Sequence, residues 1–236
     1  MWPFPSYVTL EKSGVFENFT DWHSHILPGV DDGVKTLEES LEILSLYERL
    51  GVTSVWFTPH VMADIPNETE ALRERFHELQ QAYEGSILLH LAAEYMLDDL
   101  FVERLENDDL LPLGNEGRML LVETSYHNPP MNFWDILEKI KSHGYFPVLA
   151  HPERYRYLQE SDCERLKKSG VKFQLNLPAL TGAYSPATRQ RAKALLTKGF
   201  YDFLGTDTHR LSPFLNTIEK CKISKSCLKQ IVNTLK

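Results

Sequence analysis

Cysteine is scarce in this chain, with only Cys163, Cys221 and Cys227 among 236 residues. An odd number without any CxxC pair excludes both a disulfide scaffold and a cysteine-built zinc cluster, and leaves plain reduced thiols. None of the three is the nucleophile of a cysteine phosphatase, which commonly needs C-x5-R. The residues six places on are Ser169, Cys227 and Asn233. Long apolar runs are missing too, since no stretch reaches the roughly 18 residues of a membrane span. The start, M-W-P-F-P-S-Y, lacks the basic and apolar regions of a secretory signal. A cytoplasmic protein without membrane insertion is expected. Excess positive charge is absent as well: 25 Lys and Arg face 33 Asp and Glu, a net charge of −8. Such a field repels nucleic acid and anionic membranes. An anionic substrate would need a locally positive pocket, which metal ions could supply. No repeat, low-complexity tract or linker divides the chain.

What the chain does have is alternation. Short apolar runs near 19–23, 53–58, 87–93, 119–123, 146–150, 172–176 and 201–205 predict seven strands, several of them apolar throughout, as in strands covered on both faces. Helical patterns lie near 36–50, 68–84, 98–107, 132–143, 161–169 and 186–198, with two more near 213–220 and 224–235. Thr36 with Glu39 forms a candidate capping box, and Gly51 supplies the stop. Seven βα alternations with short connections predict one closed or nearly closed parallel barrel, a single domain over 21–236. Residues 1–20 read as an extension with a strand or hairpin of its own. The lysine-rich end from Lys220 to Lys236 reads as a solvated amphipathic helix.

Histidines and acids gather where these strands end. The pair His23 and His25 falls on one side of an extended segment, because side chains repeat every two residues. The turn-rich L-P-G-V-D-D-G segment then offers Asp31 and Asp32, only one of which need be a ligand. His60 follows V-W-F-T-P, and His151 follows P-V-L-A and precedes Pro152, Glu153 and Arg154. Either could be a satisfied surface histidine. Glu94 closes the run I-L-L-H-L-A-A and Glu123 closes M-L-L-V. A buried carboxylate without a partner costs several kcal/mol, so a metal or charge partner is favoured for both. Asp207 and His209 again stand two apart. Six of seven strand ends thus carry His, Asp or Glu, and a barrel gathers such ends at one face. Mixed imidazole and carboxylate ligands suit manganese, iron or zinc, and nine are too many for one ion.

The set H23-S-H25, D31-D-G33, T58-P-H60, A93-E94, Glu123, H151-P-E-R154 and D207-T-H209 resembles the PHP (polymerase and histidinol phosphatase) superfamily. Within it, the chain resembles the bacterial capsule- and exopolysaccharide-regulating protein-tyrosine phosphatases, from about Asp21 to Arg210. The resemblance implies a distorted (β/α)7 barrel of TIM-barrel-like kind with a metal centre of two or three ions, manganese first, iron or zinc as alternatives. His23, His25 and Asp207 would hold one ion, bridged by Glu94 to a second completed by Glu123 and His151. Asp32, aligned in preference to Asp31, would hold the third with His60 and His209. Arg154 resembles the family's phosphate-contacting arginine. Arg210 is assigned to phosphate from chemistry alone, with a surface ion pair as the competing role. The implied reaction is hydrolysis of phosphotyrosine by a metal-activated water, on the tyrosine-rich tail of a polysaccharide-synthesis kinase. A small-molecule phosphatase such as histidinol-phosphatase and a non-catalytic metal-binding module are the alternatives.

Overall fold

The structure is a computed structural model and describes residues 6–235. After a short strand β1 (Tyr7–Thr9), the chain enters β2 (Phe19–Ser24), α1 (Leu37–Leu50), β3 (Val52–Phe57) and β4 (His60–Val61). It continues through α2 (Thr69–Ala82), β5 (Leu88–Leu91), β6 (Glu94–Met96), α3 (Asp99–Glu106), β7 (Met119–Glu123), α4 (Phe133–Ser142) and β8 (Phe146–Ala150). The remainder is α5 (Glu160–Lys168), β9 (Lys172–Asn176), α6 (Pro186–Thr197), β10 (Phe203–Gly205), α7 (Leu211–Lys220), β11 (Lys222–Ser224) and α8 (Lys225–Leu235). Two 3-10 turns, Pro152–Arg154 and Leu177–Thr181, follow β8 and β9.

The strands form a six-stranded parallel sheet in the order β10-β9-β8-β7-β6-β4 and a three-stranded parallel sheet in the order β2-β3-β5. One sheet passes into the other on both sides. At one side, Asp207 N donates to His23 O at 2.8 Å and His25 N donates to Thr208 O at 2.9 Å, so the end of β10 lies against the end of β2. At the other, Ala92 N donates to Phe57 O and Glu94 N to Pro59 O, which carries the pairing of β3 with β5 across to β4 and β6. The result is a curled parallel sheet with helices packed outside it, an α/β single-domain fold of the TIM-like kind.

Alternation along the strands explains their apolar runs. Leu120 and Val122 of β7 join Leu149, Phe173 and Ile140 in the layer beneath the helices. Leu121 joins Val148 and Ala150 on the opposite face of the sheet. Each face therefore has its own core, as a doubly covered parallel sheet requires.

Two expectations need correction. The run 87–93 holds only β5, which stops at Leu91: Ala93 N turns away to Leu111 O, and Glu94 opens a separate strand, β6, instead of closing β5. Thr36 caps α1 through Glu39 N and Gly51 ends it at φ 93°. The Glu39 carboxylate, however, accepts from Leu211 N at 3.0 Å, so only half of the capping box forms. The extension does carry a strand of its own, β1, which pairs antiparallel with β11, Tyr7 opposite Ser224. The C-terminal helix is likewise anchored, burying Cys227 and Ile231 and packing on α6. Residues 1–5 of the extension, and Lys236, lie outside the described residues.

Candidate metal centre

The nine side chains expected as ligands converge where strands end or, for His60 and Glu94, where β4 and β6 begin. The geometry is tightest at β2. His23 Nε2 lies 3.0 Å from His25 Nε2, 3.1 Å from Glu94 Oε2 and 3.5 Å from Asp207 Oδ1. His25 Nε2 lies 3.2 and 3.4 Å from the same two carboxylate oxygens. The opposite ring nitrogens are engaged, His23 Nδ1 with Gln174 Oε1 at 2.9 Å and His25 Nδ1 with Asp31 Oδ2 at 2.8 Å. Gln174 donates its own Nε2 to Leu175 O and Asn176 Oδ1, which fixes Oε1 toward His23. Each imidazole therefore donates from Nδ1 and turns the lone pair of Nε2 inward. Two lone pairs and two carboxylate oxygens then face one another with no donor between them. Only protons or a cation can hold such a set together.

The charge environment agrees. Burial alone would make His23 less basic, yet the carboxylates of Glu94 and Asp207 outweigh it and push its pKa up to about 10. Burial also opposes charge on His60, and Glu123 and Glu94 lift it to about 9. Burial would raise Glu94, but the imidazoles of His23, His151 and His25 hold it well below the ordinary carboxylate range. Sites that stabilise positive charge this strongly on imidazoles suit a divalent ion, which competes for the same lone pairs.

The outer members follow the same pattern. His60 Nδ1 approaches Glu123 Oε1 at 3.0 Å and Glu94 Oε2 at 3.2 Å, without a hydrogen bond to satisfy it. His151 Nε2 lies 3.0 Å from Glu94 Oε1 and 3.8 Å from Glu123 Oε2. Asp32 Oδ1 is 3.4 Å from His209 Nε2 and 3.7 Å from His60 Nε2. Four overlapping groups have ligand atoms all within 4.8 Å: His25, Asp32, His60 and His209; His23, His25 and Asp207; His23, Glu94 and His151; and His60, Glu94 and Glu123. Glu94 therefore stands centrally. His151 and Asp207 both adopt left-handed backbone, at φ 33° and 54°. That conformation is uncommon for a residue other than glycine and tends to be retained at functional sites.

The two acids of the D-D-G segment separate clearly. Asp32 stays mostly exposed and faces His60 and His209. Asp31 is buried behind the cluster, accepting from His25 Nδ1, from His60 N at 3.0 Å and from Gly33 N at 2.9 Å. Gly33 is obligatory there, because a Cβ would stand 2.1 Å from His25 O.

Of the two arginines, Arg154 lies beside the cluster, donating from Nη1 to Asp207 Oδ2 at 3.0 Å. Its guanidinium carbon sits 4.3 Å from the Tyr126 ring centre and 4.8 Å from that of Tyr184. Arg210 is further out, Nη1 3.7 Å from Glu39 Oε2 and Nη2 3.5 Å from Asp32 O. A cleft of about 1100 Å³ opens beside Arg154. Sequence reasoning missed Gln174 and Asn176, whose Nδ2 donates to Asp207 Oδ2 at 2.6 Å. Both lie on β9, the one predicted strand without an expected ligand at its end. Polar residues inside its apolar run were the available signal. Of the other four histidines, His127 lines the cleft beside Arg154 while three stand apart: His77 bonds Gln81, His143 caps α4, and His90 stacks on Trp56. Cys163 is buried, with its thiol pushed up by that burial, unlike a nucleophile.

The chain is similar to known proteins over most of its length. Tyrosine-protein phosphatase CpsB of Streptococcus pneumoniae is 32% identical over 206 residues, spanning 81% of this chain and 83% of that protein. Tyrosine-protein phosphatase YwqE of Bacillus subtilis is 27% identical over 197 residues, spanning 81% of this chain and 77% of its own. A crystal structure from work on YwqE and CpsB, described as metal-dependent tyrosine phosphatases, superposes with a TM-score of 0.76 at 25% identity and covers 92% of each chain. The family model for capsular polysaccharide synthesis, CpsB/CapC, matches residues 19–235, and the chain belongs to that family.

Proposed function

We propose that this chain is a metal-dependent protein-tyrosine phosphatase acting in the cytoplasm on the tyrosine-rich tail of a polysaccharide-synthesis kinase. The observation that carries this reading is the inward-facing set of lone pairs built by His23, His25, Glu94 and Asp207. Relatives named as tyrosine-protein phosphatases support it. Among the described residues no helix is long and apolar enough to cross a membrane. We read the two sheets as one distorted (β/α)7 barrel in which β4 and β6 continue β3 and β5, residues 21–236 forming the phosphatase unit.

In this reading His23, His25 and Asp207 would hold one ion and Glu123 and His151 a second, with Glu94 available to both. Asp32, His60 and His209 would hold the third. Manganese suits the mixed imidazole and carboxylate set, as iron or zinc would. When bound, the ions supply a water that ionises near neutral pH and positive charge for the phosphoryl oxygens. The chain's own groups do the rest. Gln174 and Asp31 hold two imidazoles in the tautomer that keeps Nε2 free, and Glu94 and Asp207 orient against them. Arg154, with Nη1 committed to Asp207 and its plane steadied by Tyr126 and Tyr184, turns its other donors toward a phosphate in paired, charge-assisted hydrogen bonds. Arg210 reaches the rim from the Asp32 side as a second phosphate contact.

The test is hydrolysis of a phosphotyrosine peptide, histidinol phosphate and a plain aryl phosphate, each with and without manganese, alongside elemental analysis. Phosphotyrosine peptide should be cleaved fastest, activity should vanish on exhaustive chelation, and manganese should restore it. Full activity in verified metal-free protein, or a preference for histidinol phosphate, would overturn the reading.

A further inference from the structure

The cleft beside Arg154 is larger than one phosphotyrosine side chain requires. Its volume of about 1100 Å³ matches or exceeds the roughly 300–1,000 Å³ of pockets that enclose whole small molecules. It runs from the 3-10 turn after β8 to α6, lined by Tyr126, Tyr184, Arg156, Ala187, Gln190 and Arg191 among others. Its charge is opposite to that of the chain as a whole. Arg154, Arg156 and Arg191 contribute three guanidinium groups. The one carboxylate, Glu153, is 2% exposed and is occupied by Asn176 N at 2.9 Å and Tyr201 Oη at 3.0 Å. Several other cations of this acidic chain are paired with carboxylates, as Arg75 is with Glu78 and Lys198 with Glu160 and Glu164. Arg156 is exposed. Among the described residues no carboxylate stands within ion-pair distance of Arg156 or Arg191. Gln190 is shared with an adjoining hollow lined by Arg189 and Lys193, which extends the basic strip along α6, a helix with no acid in its first turn.

We propose that this cleft binds the polypeptide flanking the phosphotyrosine and selects acidic residues there, so that the enzyme reads an acidic segment and not the phosphorylated side chain alone. The proposal rests on the phosphatase reading above. An extended peptide advances about 3.3 Å per residue, so a cleft of this size accommodates several residues beyond the one anchored at Arg154. With a net charge of −8 the molecule as a whole repels such a segment, and the local reversal of sign is what draws and orients it.

The experiment uses the manganese-loaded full chain and four substrates: phosphotyrosine itself and one phosphotyrosine peptide with flanking positions all Glu, all Ala or all Lys. At low salt, kcat/KM should fall in the order Glu, Ala, Lys, with the ends separated by about 10- to 30-fold. The separation should shrink markedly at about 0.5 M salt. Arg156→Glu should narrow the Glu-to-Lys ratio by about 3- to 10-fold, and Arg156→Ala by less. Arg73→Glu, the same charge change on the exposed face of α2, should leave that ratio at the parent value. Hydrolysis of all three peptides at equal rates, or a ratio that Arg156→Glu does not move, overturns the proposal while leaving the phosphatase reading intact. No hydrolysis of any of the four overturns both.

Discussion

Two carboxylates have no exposed surface, Asp21 within β2 and Glu94 at the start of β6. Asp21 accepts from Tyr47 Oη at 2.9 Å, from Thr206 Oγ1 at 2.7 Å, and from the backbone N–H groups of Thr206 at 2.8 Å and His23 at 3.3 Å. Burial outweighs all four, and its pKa rises to about 6. Glu94 is equally buried, yet it is held well below the ordinary range because imidazoles surround it. The two differ only in partner chemistry. Neutral donors solvate Asp21 and close β2 onto the segment after β10, a structural clasp that has no use for a cation. The partners of Glu94 are bases with lone pairs of their own, and that group is incomplete without positive charge. Burial of an acid is therefore a poor marker of function, while burial among imidazoles is a good one.

The largest effect should come from Glu94→Gln. A neutral amide bridges cations poorly, so bound metal should fall and kcat/KM on phosphotyrosine peptide should drop by about 1000-fold, measured by elemental analysis and initial rates. Parent values for both would erase the contrast with Asp21. The complementary change, Asp21→Ala, strands the donors of Tyr47, Thr206 and His23 and should lower the unfolding free energy by about 3 kcal/mol in urea titrations. Metal stoichiometry at saturating manganese should nevertheless match the parent. If metal is lost while stability is kept, Asp21 belongs with the cluster and not with the clasp.

Much of the fold and of the ligand set was legible in the sequence, although the role of Asp21 was not. The seven predicted strands coincide with β2, β3, β5, β7, β8, β9 and β10 because each combines an apolar run with a turn signal. The nine expected ligands meet because parallel strands bring their ends together, whatever their separation along the chain. What stayed hidden depends on tertiary pairing. No local pattern shows that Ala93 N turns to Leu111 O and makes Glu94 the first residue of a strand. Nor does one show that Glu39 serves Leu211 from across 172 residues. Gln174 and Asn176 look like ordinary strand residues until β9 is placed beside β8 and β10. The partition between Asp31 and Asp32 came from family alignment, and its physical basis, one acid behind the imidazoles and one before them, is visible only in three dimensions.

Asp31 stands between the two types of carboxylate, since it accepts one imidazole N–H and two backbone N–H groups. Burial would raise it and His25 lowers it, leaving it below its ordinary value. Asp31→Asn keeps the shape while weakening the acceptor that holds His25 Nδ1–H, so His25 should be a poorer ligand. Manganese affinity should fall about 10-fold, up to about 100-fold, with kcat at saturating metal close to the parent. Calorimetric titration of metal into chelated protein measures this. An unchanged affinity would move Asp31 to the structural side of the comparison.

The smallest effect is expected at Tyr47. Its hydroxyl donates to Asp21 Oδ2 and lies 2.7 Å from Thr206 Oγ1 and 3.0 Å from Thr208 Oγ1. Tyr47→Phe removes that hydroxyl but keeps the ring, which packs 5.3 Å from Phe214 between centres. Asp21 retains its three other donors, and Thr208, 2.7 Å from Thr206 Oγ1, can turn its proton there. The loss is then one buried hydrogen bond with its partners largely re-satisfied, about 1 kcal/mol. It should appear as a lower urea midpoint at unchanged slope. Metal content and kcat/KM should not move, because among the described residues the hydrogen bonds and ring contact of Tyr47 go to Asp21, Thr206, Thr208 and Phe214 and to no expected ligand. A fall in metal affinity comparable to that of Asp31→Asn would mean that the clasp sets the ligand geometry, and the two buried carboxylates would then be parts of one device.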